Sequence, residues 1–129
     1  MRRWLAAGTV AVALGAAGAS TVEAGCNSRA CEIRVARKQC DRGSVKACIR
    51  RAALHRRQDY GAMLRVAWCE SRFNPRAVSP WGHVGLYQFA WGTWRTTPYA
   101  RHSPFSAKWA ALAAAWMWQQ GRKREWACQ

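Results

Sequence analysis

The amino-acid sequence predicts a small, mainly α-helical domain. Apolar residues recur at the spacing of one helix face, for example at Phe105, Trp109, Leu112 and Trp116. Serine, asparagine-proline and glycine residues stand where such helices would begin and end. No stretch of useful length alternates between apolar and polar residues, as a half-buried strand would. Because there is also no internal repeat and no linker, we expect one helical domain.

Residues 1–24 have the composition of a secretory signal peptide. Two arginines follow the first methionine, an apolar run extends from Trp4 to about Gly18, and small residues precede Gly25. For a membrane-spanning helix this run is short and rich in glycine and alanine, although a retained anchor is the alternative. We therefore expect an exported protein, cleaved before Gly25, with no stable membrane insertion after the signal is removed.

All cysteines lie beyond the predicted signal peptide, and an even number of them in an exported chain predicts disulfides. Their spacing alone does not resolve the pairing. They are Cys26, Cys31, Cys40, Cys48, Cys69 and Cys128. The histidines show no metal-ligand spacing, so we expect no metal and no cofactor.

The formal net charge of +15 predicts an anionic partner. Composition alone would favour a nucleic acid. An exported chain, however, meets the acidic peptides and polymers of a cell wall first. We therefore expect anionic wall polymers as partners and no nucleic acid.

Residues 25–58 are predicted to form a basic, cysteine-containing helical hairpin. Asp41-Arg42-Gly43 divides two stretches of helix-forming residues, and Ser44 is placed to cap the second. The arginines and lysine of the second stretch would give the hairpin a cationic face. Whether that face binds the wall as a separate anchor or is only solvated stays open at this point.

Residues 59–129 are predicted to form the core of the domain. Apolar residues from Tyr60 to Cys69 suit a helix, which Asn74-Pro75 would end because proline disfavours helical backbone in the residue before it. The segment from Asn74 to Gly85 is rich in proline, serine and glycine and is predicted to be a loop.

Two further helices are expected in the C-terminal half. One should cover Leu86 to about Thr96, and the other should begin at Ser103-Pro104 and end near Gly121. Three tryptophans on apolar helix faces are expected in the core, namely Trp68, Trp109 and Trp116.

Acidic residues are scarce, and one of them stands apart. Beyond the signal peptide they are Glu32, Asp41, Asp59, Glu70 and Glu125. Only Glu70 lies at an apolar helix end, close in sequence to Trp68 and Phe73. Loss of hydration and the negative end of the helix dipole both disfavour a charged carboxylate, so the pKa of Glu70 should rise. Such a group can donate a proton near neutral pH.

Residues 70–89 form the most specific motif in the chain, with the sequence ESRFNPRAVSPWGHVGLYQF. This stretch closely resembles the catalytic region of lytic transglycosylases with the lysozyme-like fold. Their pattern is Glu-Ser, an aromatic residue, Asn-Pro, Ala, Ser, Gly and then Gly-Leu-x-Gln, and the similarity covers roughly residues 60–128. Thr93-Trp94 and the closing Trp126-Ala127-Cys128 are also similar to the resuscitation-promoting factors, a related family of wall-cleaving proteins.

The resemblance implies a lysozyme-like enzyme that cleaves the glycan strands of peptidoglycan. Together with the predicted signal peptide, it predicts a secreted, wall-associated protein, which we expect to be a monomer. It implies that Glu70 protonates the glycosidic oxygen between N-acetylmuramic acid and N-acetylglucosamine. Glu70 then removes a proton from the 6-hydroxyl of the sugar, which attacks the anomeric carbon and leaves a 1,6-anhydro product. The absence of Asp and Glu between residues 71 and 124 is consistent with one catalytic carboxyl group. A disulfide between Cys69 and Cys128 is also implied.

The same resemblance implies several substrate contacts. Ser71, Ser79 and Gln88 match polar positions of the family's cleft, and glutamine offers both a donor and an acceptor. Tyr87 stands where the family has methionine or phenylalanine and is expected to form an apolar wall.

Aromatic residues complete the predicted site. Trp81 and Trp91, in or beside the loop, are candidates for contact with sugar rings. Trp118 stands where many family members carry a tyrosine near the catalytic glutamate. Tyr99 is therefore considered as a source of the missing hydroxyl.

Two alternatives remain open from the sequence. A lysozyme-type muramidase would hydrolyse the same bond and would need Asp59 or Glu125 to position a water. A cationic protein that binds the wall without catalysis would need neither group.

Overall fold

The computed structural model describes residues 25–128, so the predicted signal peptide, residues 1–24, lies outside this range. Its helices are α1 Arg29–Asp41, α2 Val45–Arg56, α3 Tyr60–Ser71, α4 Trp91–Arg95 and α5 Ala107–Gln119, followed by a 3-10 turn at Lys123–Glu125. Within residues 25–128, extended pairing is limited to isolated bridges that join Val84 to Val78 and to Phe89. The mainly α-helical prediction is confirmed.

Helices α1 and α2 form the predicted hairpin and pack against each other. The turn between them contains Gly43 with a positive φ of 99°. The Ser44 hydroxyl accepts a hydrogen bond from the backbone N–H of Ala47 and so caps α2, as the sequence predicts. A disulfide between Cys40 and Cys48 links the two helices across the turn.

Helix α2 also belongs to the main hydrophobic core, because it packs against both α3 and α5. Core residues of these three helices include Ile49, Ala52 and Ala53 of α2, Met63 and Val66 of α3, and Leu112 and Met117 of α5. By contrast, α1 buries only Ala36 and Cys40. The second helix of the hairpin therefore supports the core, whereas the first lies on its outside.

Helix α5 is buried over most of its circumference, and its alanines allow neighbouring helices to approach closely. Its buried residues are Ala110, Ala111, Leu112, Ala113, Ala114, Ala115, Met117 and Trp118. Trp109 and Trp116 are partly buried against the same core, as expected. None of the helices in the described part of the chain combines the length and apolar character needed to cross a membrane.

Trp68 is not a core residue, and this prediction is wrong. Its side chain is 49% exposed on the outer side of α3. The Arg72 guanidinium lies 4.6 Å from the ring centroid, and Phe73 packs beside the ring. The apolar residues of α3 extend beyond the face of the helix that packs on the core. Trp68 lies outside that face, where the Arg72 guanidinium covers its ring.

The helix expected from Leu86 to Thr96 is shorter than predicted. Gly85 and Gln88 have positive φ values of 79° and 52°, and residues 85–88 form a turn. This turn brings Phe89 back to pair with Val84. Helical backbone therefore begins only at α4.

The predicted helix start at Ser103-Pro104 is also wrong. The Ser103 hydroxyl accepts from the backbone N–H of Phe105 and stabilises a local turn. The Pro104 carbonyl instead lies against Gly85, so this segment packs on the loop before α5 begins at Ala107.

Candidate active site

A cleft of about 230 Å³ opens where the C-terminal end of α3 meets the loop before α4, helix α5 and the C-terminal segment. Its lining residues are Glu70, His83, Gln88, Phe89, Ala90, Thr93, Met117, Glu125, Trp126 and Ala127. The walls combine apolar side chains with a few polar groups, as in sites that bind sugars or other small ligands.

Glu70 is the penultimate residue of α3, and the way this helix ends positions it in the cleft. Arg72 adopts left-handed backbone with φ of 54° and donates its N–H to the carbonyl oxygens of Ala67 and Trp68. Phe73 also has a positive φ, so the chain turns away sharply before Asn74. Glu70 therefore keeps helical geometry while the chain after it leaves the cleft open.

Burial is the largest influence on the Glu70 carboxyl group, and it raises the pKa above the usual value. The backbone N–H of Cys128 donates a hydrogen bond to the carboxylate and partly offsets this effect. The positive charge of His83 acts in the same lowering direction. The net result is a raised pKa, as the sequence predicts, in a group that retains access to the cleft.

The C-terminal segment forms one wall of the cleft. A disulfide joins Cys69 to Cys128, the pair that the resemblance implied. Next to it, the Trp126 indole N–H donates to the Tyr87 carbonyl oxygen over 2.8 Å. These two connections hold residues 125–127 beside Glu70.

The loop opposite Glu70 is fixed by hydrogen bonds of its own. The backbone N–H of Ser79 donates to the His83 carbonyl, and the N–H of His83 donates to the Ser79 hydroxyl. The Gln88 side-chain nitrogen donates to the carbonyl oxygens of Ala77 and Gly85. The His83 side chain is therefore presented to the cleft by a braced turn.

Gly85 is required at its position in this loop. An added Cβ would lie 2.3 Å from the Pro104 carbonyl oxygen, and φ is in the left-handed region. The glycine thereby allows the loop to contact the segment that precedes α5.

Two of the predicted substrate contacts are buried instead. The Ser71 hydroxyl has one proton to share between the carbonyl oxygens of Leu86, at 2.8 Å, and Ala67, at 3.1 Å, and the shorter contact ties α3 to the loop. Tyr87 is fully buried, and its hydroxyl donates to the Met63 carbonyl. Neither residue lines the cleft, because both hydroxyl groups donate to backbone carbonyl oxygens in the interior. The two residues hold the segments around the cleft in place.

Gln88 lines the cleft, whereas Ser79 contributes to the turn beside it. The described hydrogen bonds of Gln88 use its amide nitrogen, so its carbonyl oxygen can accept from a ligand. Trp81 is 84% exposed at the tip of the same turn, two residues before His83. Trp91 is partly exposed at the start of α4 and contacts Phe105 edge-on.

Tyr99 and Trp118 do not supply a hydroxyl to the cleft. The Tyr99 hydroxyl accepts from the Arg56 guanidinium at 2.9 Å, and its ring packs against Trp109. Trp118 is buried against Trp126. Trp118, which the resemblance placed at the tyrosine position of the family, is thus a core residue in this chain.

Several residues that line the cleft were not predicted as site residues. His83 faces the cleft together with Glu70, and so does Glu125, which was considered only for the hydrolytic alternative. Thr93 also lines the cleft, and the buried residues Phe89, Met117 and Trp126 lie beneath it. The implied Cys69–Cys128 pairing was the available signal, because it places the residues before Cys128 next to Glu70. Among the described residues, no group of His, Cys, Asp or Glu side chains is arranged to hold a metal ion.

Comparison with known families gives one match. The family model for the transglycosylase SLT domain matches residues 47–120, more than half of the chain. Neither the curated proteins nor the solved structures provide a match. The matched range runs from α2 to the end of α5 and includes Glu70 with the loop opposite it. The chain belongs to the transglycosylase SLT domain family, with its lysozyme-like fold.

Proposed function

We propose that this protein cleaves the β-1,4 bond between N-acetylmuramic acid and N-acetylglucosamine in peptidoglycan, with Glu70 as the single catalytic acid and base and a 1,6-anhydro sugar as product. The observation that carries the proposal is the position of Glu70: a carboxyl group with a raised pKa that lines a cleft in an SLT domain. A partly desolvated glutamic acid is suited to protonate a leaving oxygen near neutral pH.

In the first step, protonated Glu70 gives its proton to the glycosidic oxygen, and the bond from that oxygen to the anomeric carbon breaks. The resulting Glu70 carboxylate is stabilised by the Cys128 N–H and by a charged His83. In the second step, the carboxylate takes the proton of the 6-hydroxyl while that oxygen bonds to the anomeric carbon. Glu70 ends protonated, as it began, and no water is consumed.

The rest of the cleft supports the binding of a sugar chain. The Gln88 carbonyl oxygen is available to a sugar hydroxyl. Phe89, Met117 and Trp126 are buried and form a firm apolar floor beneath the cleft. Trp81, exposed at the tip of the turn that carries His83, offers an aromatic face to a sugar ring.

Hydrolysis is the second candidate, because Glu125 also lines the cleft. Asp59, the other acid considered for this role, caps the opposite end of α3, roughly 16 Å from Glu70 along the helix axis. Glu125 is therefore the carboxylate to consider. Both of its oxygens accept hydrogen bonds from the Arg122 guanidinium, which favours a structural role over activation of a water.

A matched pair of glutamines tests the assignment. We expect Glu70→Gln to lower the turnover of purified peptidoglycan by about a hundredfold or more, because glutamine cannot donate the proton. Glu125→Gln should retain most of the activity. Unchanged activity of the Glu70 variant, with the protein still folded, would support a cationic wall-binding protein without catalysis.

The products distinguish the two reactions. Mass spectrometry of fragments released from peptidoglycan should show muropeptides that end in a 1,6-anhydro sugar, which are lighter by one water than the hydrolysed fragments. Reducing ends, together with loss of activity in Glu125→Gln, would establish hydrolysis instead.

We also propose that the protein acts outside the cytoplasm, at the wall. The three disulfides support this proposal, since such bonds persist mainly in oxidising compartments. Appearance of the mature protein in the culture medium or wall fraction, with Gly25 at its N-terminus, would test both the export and the predicted cleavage.

A further inference from the structure

Helix α1 lies outside the part of the chain that the SLT family model matches. It packs mainly on α2 and buries only Ala36 and Cys40, so it adds little to the core. A disulfide from Cys40 to Cys48 nevertheless links the end of α1 to α2, and a second one from Cys26 to Cys31 closes a short loop at its start. The chain thus holds on α2 a helix that contributes little to the core of the domain.

The outer face of α1 and its C-terminal end carry a row of cations, defined here as Arg34, Lys38 and Arg42. Arg34 and Lys38 stand four positions apart on the helix, about 6 Å along its axis, and Arg42 follows four positions later as the residue that caps the helix end. All three are exposed. The Arg34 guanidinium donates a weak hydrogen bond to the Cys31 sulfur, at 3.7 Å.

The carboxylates of the hairpin do not neutralise this row. Asp41 pairs with Arg37, and Glu32 pairs with Arg50. Among residues 25–128, no carboxylate forms an ion pair with a member of the row. Like charges at this spacing repel one another along a helix, and an external anion relieves that repulsion.

We propose that the row Arg34–Lys38–Arg42 is a docking surface for a phosphodiester polymer attached to the cell wall, which holds the enzyme on its substrate. A linear array on a convex helix, without a cavity, suits an extended polyanion better than a small anion. The regular spacing of the cations suits a polymer whose charges repeat along one chain, and the choice of a wall polymer rests on the function proposed above.

The test compares two triple variants with equal loss of charge. Arg34→Gln/Lys38→Gln/Arg42→Gln removes the row, and Arg65→Gln/Arg95→Gln/Arg101→Gln removes three exposed arginines elsewhere. Co-sedimentation with sacculi that carry covalently attached phosphodiester polymers measures the apparent affinity at about 0.15 M salt, where exposed charges still interact. We expect a loss of roughly tenfold for the row variant and a much smaller loss for the control.

Further arms test the occupant and the role of the charge. Treatment of the sacculi with hydrofluoric acid removes the phosphodiester polymers, and we expect the difference between the variants to disappear. A difference that persists would assign the binding to carboxylates of the stem peptides and would overturn the proposal. Arg34→Lys/Arg42→Lys should bind like the unchanged protein, because it keeps the charges. Should the triple row variant fail to fold, the single variants Arg34→Glu and Lys38→Glu provide the same comparison.

Equal losses for the two triple variants would overturn the proposal, since they would indicate attraction by net charge alone. Tighter binding to double-stranded DNA than to sacculi would also overturn it. Activity on soluble, uncross-linked glycan strands should be the same in the row variant and the unchanged protein. If the unchanged protein shows no such activity but its binding still depends on the row, the proposed catalysis fails and the docking surface stands.

Discussion

At the scale of single residues, the protonation of Glu70 depends on its exposure, on the Cys128 N–H and on His83. Glu125, the other carboxylate that lines the cleft, forms an ion pair with Arg122. Its negative charge is therefore balanced and should have little effect on the pKa of Glu70. His83 is the neighbour whose positive charge lowers the pKa of Glu70. The pH dependence of the reaction should therefore reveal whether His83 and Glu70 are coupled.

We expect His83→Ala to move the alkaline limb of the kcat/KM profile to higher pH. In the proposed reaction Glu70 must be protonated, so activity should fall as pH rises through the pKa of this group. A cationic His83 lowers that pKa, and its removal lets the protonated form persist to higher pH. The shift should shrink at high salt, because His83 is exposed.

His102→Ala is the matched control, since His102 is exposed but stacks on Trp109 away from the cleft. Its profile should superimpose on that of the unchanged protein. A shift of the His83→Ala limb to lower pH, or none at low salt, would contradict the coupling.

At the scale of elements, the loop opposite Glu70 depends on one glycine. We expect Gly85→Ala to lower the free energy of unfolding by about 3 kcal/mol, because the new methyl group meets the Pro104 carbonyl and the backbone is left-handed. Gly82→Ala is the control, with a similar φ of 77° but open space around the added Cβ. It should cost only about 1 kcal/mol. Urea unfolding measures both, and equal losses would show that the contact with Pro104 is unimportant.

The C-terminal segment is the second element on which the cleft depends. We expect the double variant Cys69→Ser/Cys128→Ser to lose about 4 kcal/mol of stability on the chain-entropy account, and to lose at least about tenfold in kcat/KM. The activity falls because residues 125–127 and the Cys128 N–H are no longer held beside Glu70.

Cys26→Ser/Cys31→Ser removes a disulfide that closes a much shorter loop away from the cleft. It should cost about 2 kcal/mol and leave kcat/KM on soluble strands unchanged. Denaturant unfolding and steady-state kinetics on the same preparations separate the two effects. Full activity in Cys69→Ser/Cys128→Ser would mean that the cleft does not need this disulfide to hold the C-terminal segment.

Sequence patterns predicted the elements that depend on neighbouring residues in the chain. The hairpin, its Ser44 cap and the helix that carries Glu70 follow from spacing and end signals, and the structure contains all three. The failures lie where distant segments compete with local signals. Ser103-Pro104 has the composition of a helix start, but Pro104 packs against Gly85 instead. Ser71 was expected to be a polar group of the cleft and Tyr87 an apolar wall of it. Instead, Ser71 is buried against the loop and Tyr87 is buried against α3.

At the scale of the whole molecule, the cleft exists because segments remote in sequence converge on the end of α3. His83, Thr93, Met117 and Glu125 come from four different parts of the chain. No pattern of neighbouring residues predicts such a set, because the packing of distant segments decides which residues line the cleft. The disulfide to Cys128 and the bond from Trp126 to Tyr87 close this arrangement.

The same convergence makes α2 part of the catalytic domain, and matched isoleucines of the hairpin test this. Ile49 is fully buried among α3 and α5, whereas Ile33 lies partly exposed on α1. We expect Ile49→Ala to cost about 3 kcal/mol, a large part of the stability of a small domain. Ile33→Ala should cost about 1 kcal/mol or less, because little apolar surface is buried there. Urea unfolding followed by tryptophan fluorescence measures both, and activity on soluble glycan strands should be lost at a clearly lower urea concentration in Ile49→Ala than in Ile33→Ala. A loss as small for Ile49→Ala as for Ile33→Ala would mean that α2, like α1, is an addition to the surface of the domain.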